Sequence, residues 1–236
     1  MDLRGFLAPT NASLLRDFLA SAPRRERVVA LCCGWGAEVH LLLEAGAGHV
    51  DAVDTLPPVL EVLESQLASR DRARVTTHCE DALAFLAAAA APFDLLTALG
   101  GAPTYVGQHA LLAAMRERLA PGGAVVLSDL VLRREEARAD LSAMFTITPE
   151  RLLTRAQYAE IVAREGFTIR GEAALTEREW QEYYARMESY RGLEVGPLSE
   201  PRFFEYLQRE AAILTAPDAP AGYLMLRLAA ANEKAS

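Results

Sequence analysis

The chain has 236 residues, 51% of them hydrophobic and 24% charged, with a formal net charge of −8. That length suits one domain with a large core plus an appendage, the apolar runs are too short to span a bilayer, and the acidic balance argues against a nucleic-acid surface. Arginine supplies nearly all the positive charge, and acids interrupt its two clusters at residues 24–27 and 133–138. The amino-terminal residues lack the basic-then-apolar pattern of a secretory leader, so a cytoplasmic protein is expected. The cysteines form no C-x-x-C pair and the four histidines are scattered, so no metal site is expected.

In chain order, residues 11–22 place Leu14, Leu15, Phe18 and Leu19 at helical spacing, with Asn11 as a cap. This helix is expected to pack on a sheet edge or to cover the site. The run Val28 to Cys33 reads as a buried strand, Gly34-Trp35-Gly36 as a tight turn, and residues 37–44 as a helix. Cys32 and Cys33 fall at the strand end, where Cys behaves as a small hydrophobe, and are predicted to be packed and unreactive. Strand–helix units follow: a strand at 50–53 and a helix opened by Pro57-Pro58, then a strand at 74–78 and a helix at 82–90 capped by Asp81. A strand at 93–99, a helix at 106–119, and a Pro121-Gly122-Gly123 turn into a strand at 124–130 complete the alternation. Such alternation predicts an α/β fold with a doubly wound, mostly parallel sheet.

The last third changes character. Thr154 to Gln157 and Thr176 to Glu179 are capping boxes opening two helices, with a strand from 167 to 170 between them. The second helix carries Trp180, Tyr183, Tyr184, Met187 and Tyr190 on one side and ends at Gly196-Pro197. A further helix, 202–213, and an apolar strand, 222–228, close the chain.

Ligands of open α/β sheets bind beyond the carboxyl ends of the strands. The Gly turn, Asp54 after the second strand and Asp81 after the third all fall at that edge. An acid after the second strand can accept both hydroxyls of a ribose, and one after the third can accept an exocyclic amine such as that of adenine. Taken singly, Asp54 reads equally well as a turn residue and Asp81 as a helix cap.

On these residues the chain resembles the class I S-adenosylmethionine-dependent methyltransferases over residues 28–228. Ala30-Leu31-Cys32-Cys33-Gly34-Trp35-Gly36 aligns with the family's D-L-G-C-G-x-G motif, Asp54 with its ribose acid, and Glu80-Asp81-Ala82 with its adenine-contacting G-D-A. Leu119 to Gly123 corresponds to its L-x-P-G-G turn, and Glu165-Gly166-Phe167 to its A-G-F. Ala30 stands where the family has an acid, and Cys32 where it has a first glycine. The nearest likeness is to the ubiquinone-biosynthesis-like, small-molecule branch. The Gly100-Gly101 and Tyr105 loop and the helix from Glu179 to Tyr184 resemble a bacterial branch of it.

The resemblance implies a seven-stranded Rossmann-like sheet, one methyltransferase domain over 1–236, and S-adenosyl-L-methionine as cofactor. Within that domain, 1–23 would be an amino-terminal helix, 24–175 the cofactor-binding core, 176–216 a helical lid and 217–236 the final strand and tail. It places the cofactor on Cys33, Gly34, Trp35, Gly36, Asp54, Thr55, Asp81, Ala82 and Leu99. It places a small-molecule acceptor on Tyr105, Trp180 and Tyr184, with Tyr105 and Asp129 as catalytic candidates and His109 as a helix-face residue. By spacing alone the Trp180/Tyr183/Tyr184 face reads more readily as core packed on the sheet than as a pocket wall. A homodimer, with no nucleic-acid or membrane partner, is the expected assembly. A degenerate S-adenosylmethionine- or nucleotide-binding module without turnover is the alternative that Ala30 and Cys32 support. A nicotinamide oxidoreductase is disfavoured, because Val39 stands where a dinucleotide fold needs a small residue.

Overall fold

A computed structural model describes residues 12–21 and 25–231. The amino-terminal helix α1 (Ala12–Ala20) precedes strand β1 (Arg27–Leu31). Helix α2 (Ala37–Glu44) leads to β2 (His49–Asp54), α3 (Pro57–Gln66) to β3 (Val75–Cys79), and α4 (Ala82–Ala88) to β4 (Phe93–Ala98). Two helices, α5 (Ala102–Val106) and α6 (Gln108–Arg118), then precede the long strand β5 (Leu119–Leu132). Helix α7 (Arg138–Phe145), the two-residue strand β6 (Leu153–Thr154), α8 (Arg155–Arg164) and β7 (Phe167–Ala174) follow. Helices α9 (Glu177–Ser189) and α10 (Pro201–Leu214) and strand β8 (Ala221–Ala230) complete the fold.

The sheet runs β3-β2-β1-β4-β5-β8-β7, with β6 paired to β5 outside this path. All pairings are parallel except those of β8, which is antiparallel to both β5 and β7. The chain builds outward from β1 to β3, then returns to place β4 on the other side of β1. This reversal splays the connections apart beyond the carboxyl ends of β1 and β4 and opens a crevice there.

Alternation along the central strands sorts side chains into two layers. Val28 and Ala30 of β1 face one layer, with α1, α2, α3, α7, α9 and α10. Val29 and Leu31 face the other, with α4, α6 and α8. Both faces are covered, which is why the strands read as continuous apolar runs. Each large side chain so buried contributes about 1.5–3 kcal/mol.

The expected elements are present, with four differences. The helix expected at 106–119 starts earlier and breaks in two at Gly107, whose φ of 114° no helix accommodates. The Pro-Gly-Gly turn lies inside β5: the ladder jumps from Phe93–Leu119 to Leu95–Ala124, so residues 120–123 bulge out of register. The strand expected at 167–170 continues to Ala174, and α7 and β6 had no counterpart among the expected elements. Of the two places expected for α1, the structure shows packing at the β7–β8 end of the sheet. Leu15 and Leu19 are buried, Phe18 lies over Gly171, and Arg227 donates to the Ser21 carbonyl. The expected Asn11 cap lies outside the described residues.

Candidate functional site at the carboxyl edge of the sheet

The first half of the site is a turn locked to an acid. Gly34 N–H donates to Asp54 Oδ2 at 2.9 Å, and Leu56 N–H donates to Oδ1 at 3.0 Å. Each carboxylate oxygen keeps a further lone pair. Cys33 N–H donates to the Val53 carbonyl and Gly36 N–H to the Cys33 carbonyl, so the turn closes on itself and on β2. Gly34 and Gly36 adopt left-handed conformations, with φ of 52° and 78°. Asp81 uses only Oδ1 to cap α4, accepting from Leu83 and Ala84 N–H at 2.9 and 3.0 Å. Thr55 and Asp81 are exposed, while Cys33, Trp35, Ala82 and Leu99 are buried.

Cys32 departs from expectation. It is exposed rather than packed, because β1 ends at Leu31 and Cys32 already belongs to the turn, at φ 55°. A non-glycine residue in this region is strained. Loss of hydration in the crevice, reinforced by Asp54, Glu38 and Asp81, pushes its thiol up to about 12. Cys33 is buried as expected.

Glu38, in the first turn of α2, was not anticipated. It is buried, and desolvation pushes its carboxyl up to about 8 against the opposing pull of the Thr97 hydroxyl. An acid two residues past the Gly turn, in a helix otherwise apolar on its inner side, was the available signal.

The second half of the site lies beyond β4 and β5. Gly100 N–H donates to Ser128 Oγ at 2.7 Å, and Gly101 N–H to the Ser128 carbonyl at 3.0 Å. Asp129 is 1% exposed and holds α5 and α6 together: Thr104 N–H donates to Oδ1 at 3.1 Å and Gln108 Nε2 to Oδ2 at 3.3 Å. Burial pushes its carboxyl up to about 7. Arg151 donates to the carbonyls of Thr104 and Tyr105 at 3.1 and 2.8 Å. Tyr105 rides on α5 and is 55% exposed. His109 pairs with Glu165 on the surface at 2.9 Å.

Helices α9 and α10 bring an aromatic cluster onto this half. Trp180 is 2% exposed and meets Tyr223 of β8 edge-on, with ring centroids 5.4 Å apart. Tyr184 stacks on Trp180 at 5.7 Å and meets Tyr183 at 5.0 Å. The Tyr223 hydroxyl donates to the Gly100 carbonyl at 3.5 Å, tying the cluster to the loop after β4. Trp180 is therefore packed behind Tyr184, and Tyr184 is only half-buried. Trp35 of the Gly turn is buried against Tyr190, which follows α9. Inside the cluster sits Glu210 of α10, 4% exposed. It lies on the apolar stripe of Leu207 and Leu214, where an acid is out of place, and the sequence expectations passed over it.

A family of methyltransferase domains matches residues 28–123, from β1 to the bulge of β5. Residues 28–123 are thus similar to methyltransferase domains. The methyltransferase fold extends over nearly the whole chain. An S-adenosylmethionine-dependent methyltransferase from Geobacter sulfurreducens, crystallised with S-adenosyl-L-homocysteine, superposes with a TM-score of 0.69 at 14% identity, covering 95% of this chain and 93% of that one. One from Thiobacillus denitrificans, also with S-adenosyl-L-homocysteine, gives 0.70 at 14% identity over 95% and 94%. Geranyl diphosphate C-methyltransferase from Streptomyces coelicolor A3(2) gives 0.65 at 15% identity over 92% and 77%. No curated protein matches the chain in sequence.

Among the described residues, no group of three His, Cys, Asp or Glu side chains is arranged to hold a metal. No described helix is long and apolar enough to cross a membrane.

Proposed function

We propose that the chain binds S-adenosyl-L-methionine along the crevice and methylates a small-molecule acceptor beneath the lid. The observation that carries this reading is the Asp54–Gly34 bond, which fixes a carboxylate with spare lone pairs at the open edge beside the glycine turn. Asp54 would accept the ribose hydroxyls. Thr55 and Leu56, the latter 49% exposed, would flank the nucleoside, and Asp81 and Ala82 would meet the adenine. The backbone of Cys33 to Gly36, with Trp35 and Leu99 behind it, would carry the amino-acid end. The residues present fit this group, since Cys32 and the two aspartates leave the edge open.

When bound, the sulfonium supplies an activated methyl group. The chain's own task is alignment and exclusion of water, and orientation of this kind can lower a barrier by roughly 7–11 kcal/mol. Tyr105 is the exposed candidate to touch the acceptor. Asp129 is buried beneath α5 and acts as a positioning residue: it holds the helix that presents Tyr105. Helices α9 and α10 form the lid, with Tyr184 towards the acceptor and Trp180 supporting it from behind.

Calorimetric titration tests the reading. S-Adenosylhomocysteine should bind the wild type and NAD should not. Asp54→Ala should weaken binding by about 1.5–3 kcal/mol, the worth of hydrogen bonds to a charged group. Unchanged affinity in a folded Asp54→Ala protein would refute the assignment. Methyl transfer to an amine or phenol panel separates an active enzyme from a binding module.

A further inference from the structure

Glu210 is a buried carboxylate without a cation. Among the described residues no ion pair reaches it, and its surroundings are phenols from four elements. Tyr183 and Tyr184 come from α9, Tyr206 from α10 itself, Tyr105 from α5 and Tyr223 from β8, and the charge of Glu210 bears on each of them. Glu210 is 4% exposed, burial raises its carboxyl to about 7, and the neighbouring Tyr184 hydroxyl is buried without a hydrogen-bond partner. The Tyr223 hydroxyl and the Tyr105 ring meet over Gly101, where an added Cβ would stand 2.7 and 3.7 Å from them, which joins the cluster to the exposed ring after β4.

A buried acid of this kind costs several kcal/mol unless something compensates it. A structural acid would be matched by an arginine, and arginines are near. Arg151 is committed to the carbonyls of Thr104 and Tyr105, and Arg186 bears on Tyr183. Asp129, the nearest other acid to Tyr105, adds negative potential. The cluster thus offers π-faces, phenolic oxygens and a carboxylate, and among the described residues no cation forms an ion pair with that carboxylate. Such a surface attracts an organic cation and repels an anion. The Streptomyces coelicolor neighbour is named for a diphosphate substrate.

We propose that Glu210, with Tyr105, Tyr184 and Tyr206 around it, is the receptor for the ammonium group of an amine acceptor. This rests on the reading of the site as a methyltransferase acceptor pocket. The carboxylate binds the ammonium nitrogen and takes one of its protons onto oxygen. The N–H bond breaks towards nitrogen, which leaves a neutral amine with a free electron pair, the form that a methyl donor requires.

The test compares 2-phenylethylamine with 2-phenylethanol, which have matched shape and differ in charge. Binding is followed by calorimetry on the full chain with saturating S-adenosylhomocysteine and, separately, without it. The wild type should bind the amine at least tenfold more tightly than the alcohol. Glu210→Gln should bring the two within about twofold while leaving S-adenosylhomocysteine affinity unchanged. If Glu210→Gln does not fold, Tyr206→Phe, which keeps the ring and removes the hydroxyl, should narrow the preference several-fold. Equal binding of amine and alcohol by the wild type, binding of neither, or a preference that survives Glu210→Gln would overturn the proposal. Failure of S-adenosylhomocysteine to bind, with the amine preference intact and lost in Glu210→Gln, would refute the cofactor reading and leave the amine receptor standing.

Discussion

Trp35 of the glycine turn meets Tyr190, at the end of α9, edge-to-face with ring centroids 5.8 Å apart and an interplanar angle of 74°. The glycine turn after β1 is thereby joined to the end of α9, the helix that carries Trp180 and Tyr184. An aromatic pair of this geometry contributes about 0.5–1.5 kcal/mol beyond its buried area. Tyr190→Leu keeps apolar bulk and removes the edge contact. It should cost about 1 kcal/mol in urea denaturation and speed proteolytic cleavage between α9 and α10. An unchanged cleavage rate would show that the pair does not hold the end of α9 in place.

Cys32 holds a left-handed conformation that glycine adopts without strain. Cys32→Gly should therefore stabilise the protein by about 1 kcal/mol, reduced somewhat by the greater entropy of the unfolded glycine chain. Its thiol is exposed yet raised to about 12, so alkylation by iodoacetamide should be slow at pH 8 and accelerate as pH rises further. Rapid labelling at pH 8 would contradict the loss of hydration, reinforced by Asp54, Glu38 and Asp81, assigned to it.

Glu38 gives the folded state a pH signature. Its carboxyl titrates near 8 when folded, against an ordinary value of 4.5. Between those values the folded state holds a proton that the unfolded chain has released. Stability is then fully present below about pH 4.5 and is lost as pH rises through about 8. Asp129 and Glu210, both raised to about 7, act in the same direction. Denaturation midpoints should fall between pH 5 and 8, and Glu38→Gln should flatten that slope by on the order of a few kcal/mol. A slope identical in wild type and Glu38→Gln would mean that Glu38 is ionised in the fold.

Gly101 turns the chain from β4 into α5 at φ 84°, and a Cβ there would stand 2.7 Å from the Tyr223 hydroxyl. Gly101→Ala should cost about 1–3 kcal/mol through backbone strain and displacement of that hydroxyl. Near-ultraviolet circular dichroism should report the disturbed Tyr223–Trp180 pair. Wild-type spectra and stability would show that the loop has room to spare.

The sequence by itself determined the layered sheet, because burial of both faces demands continuous apolar strands and the intervening caps are local chemistry. Asp81, Thr154 and Thr176 cap their helices through bonds spanning two or three residues, so their roles were readable without a fold. The glycine turn and Asp54 were legible for a related reason: their spacing follows from one strand–helix–strand unit. Only the tertiary structure decided the rest. Cys32 reads as part of an apolar run, and its exposure depends on where β1 loses its partners. Tyr105 lies far in sequence from Glu210, and the ring of phenols around that acid exists because α9 and α10 fold back before β8 enters the sheet between β5 and β7. Trp180 could be wall or glue by periodicity alone, and Tyr223, on a strand over forty residues later, settled its packing. Contacts of that range are set by strand order, which no local pattern encodes.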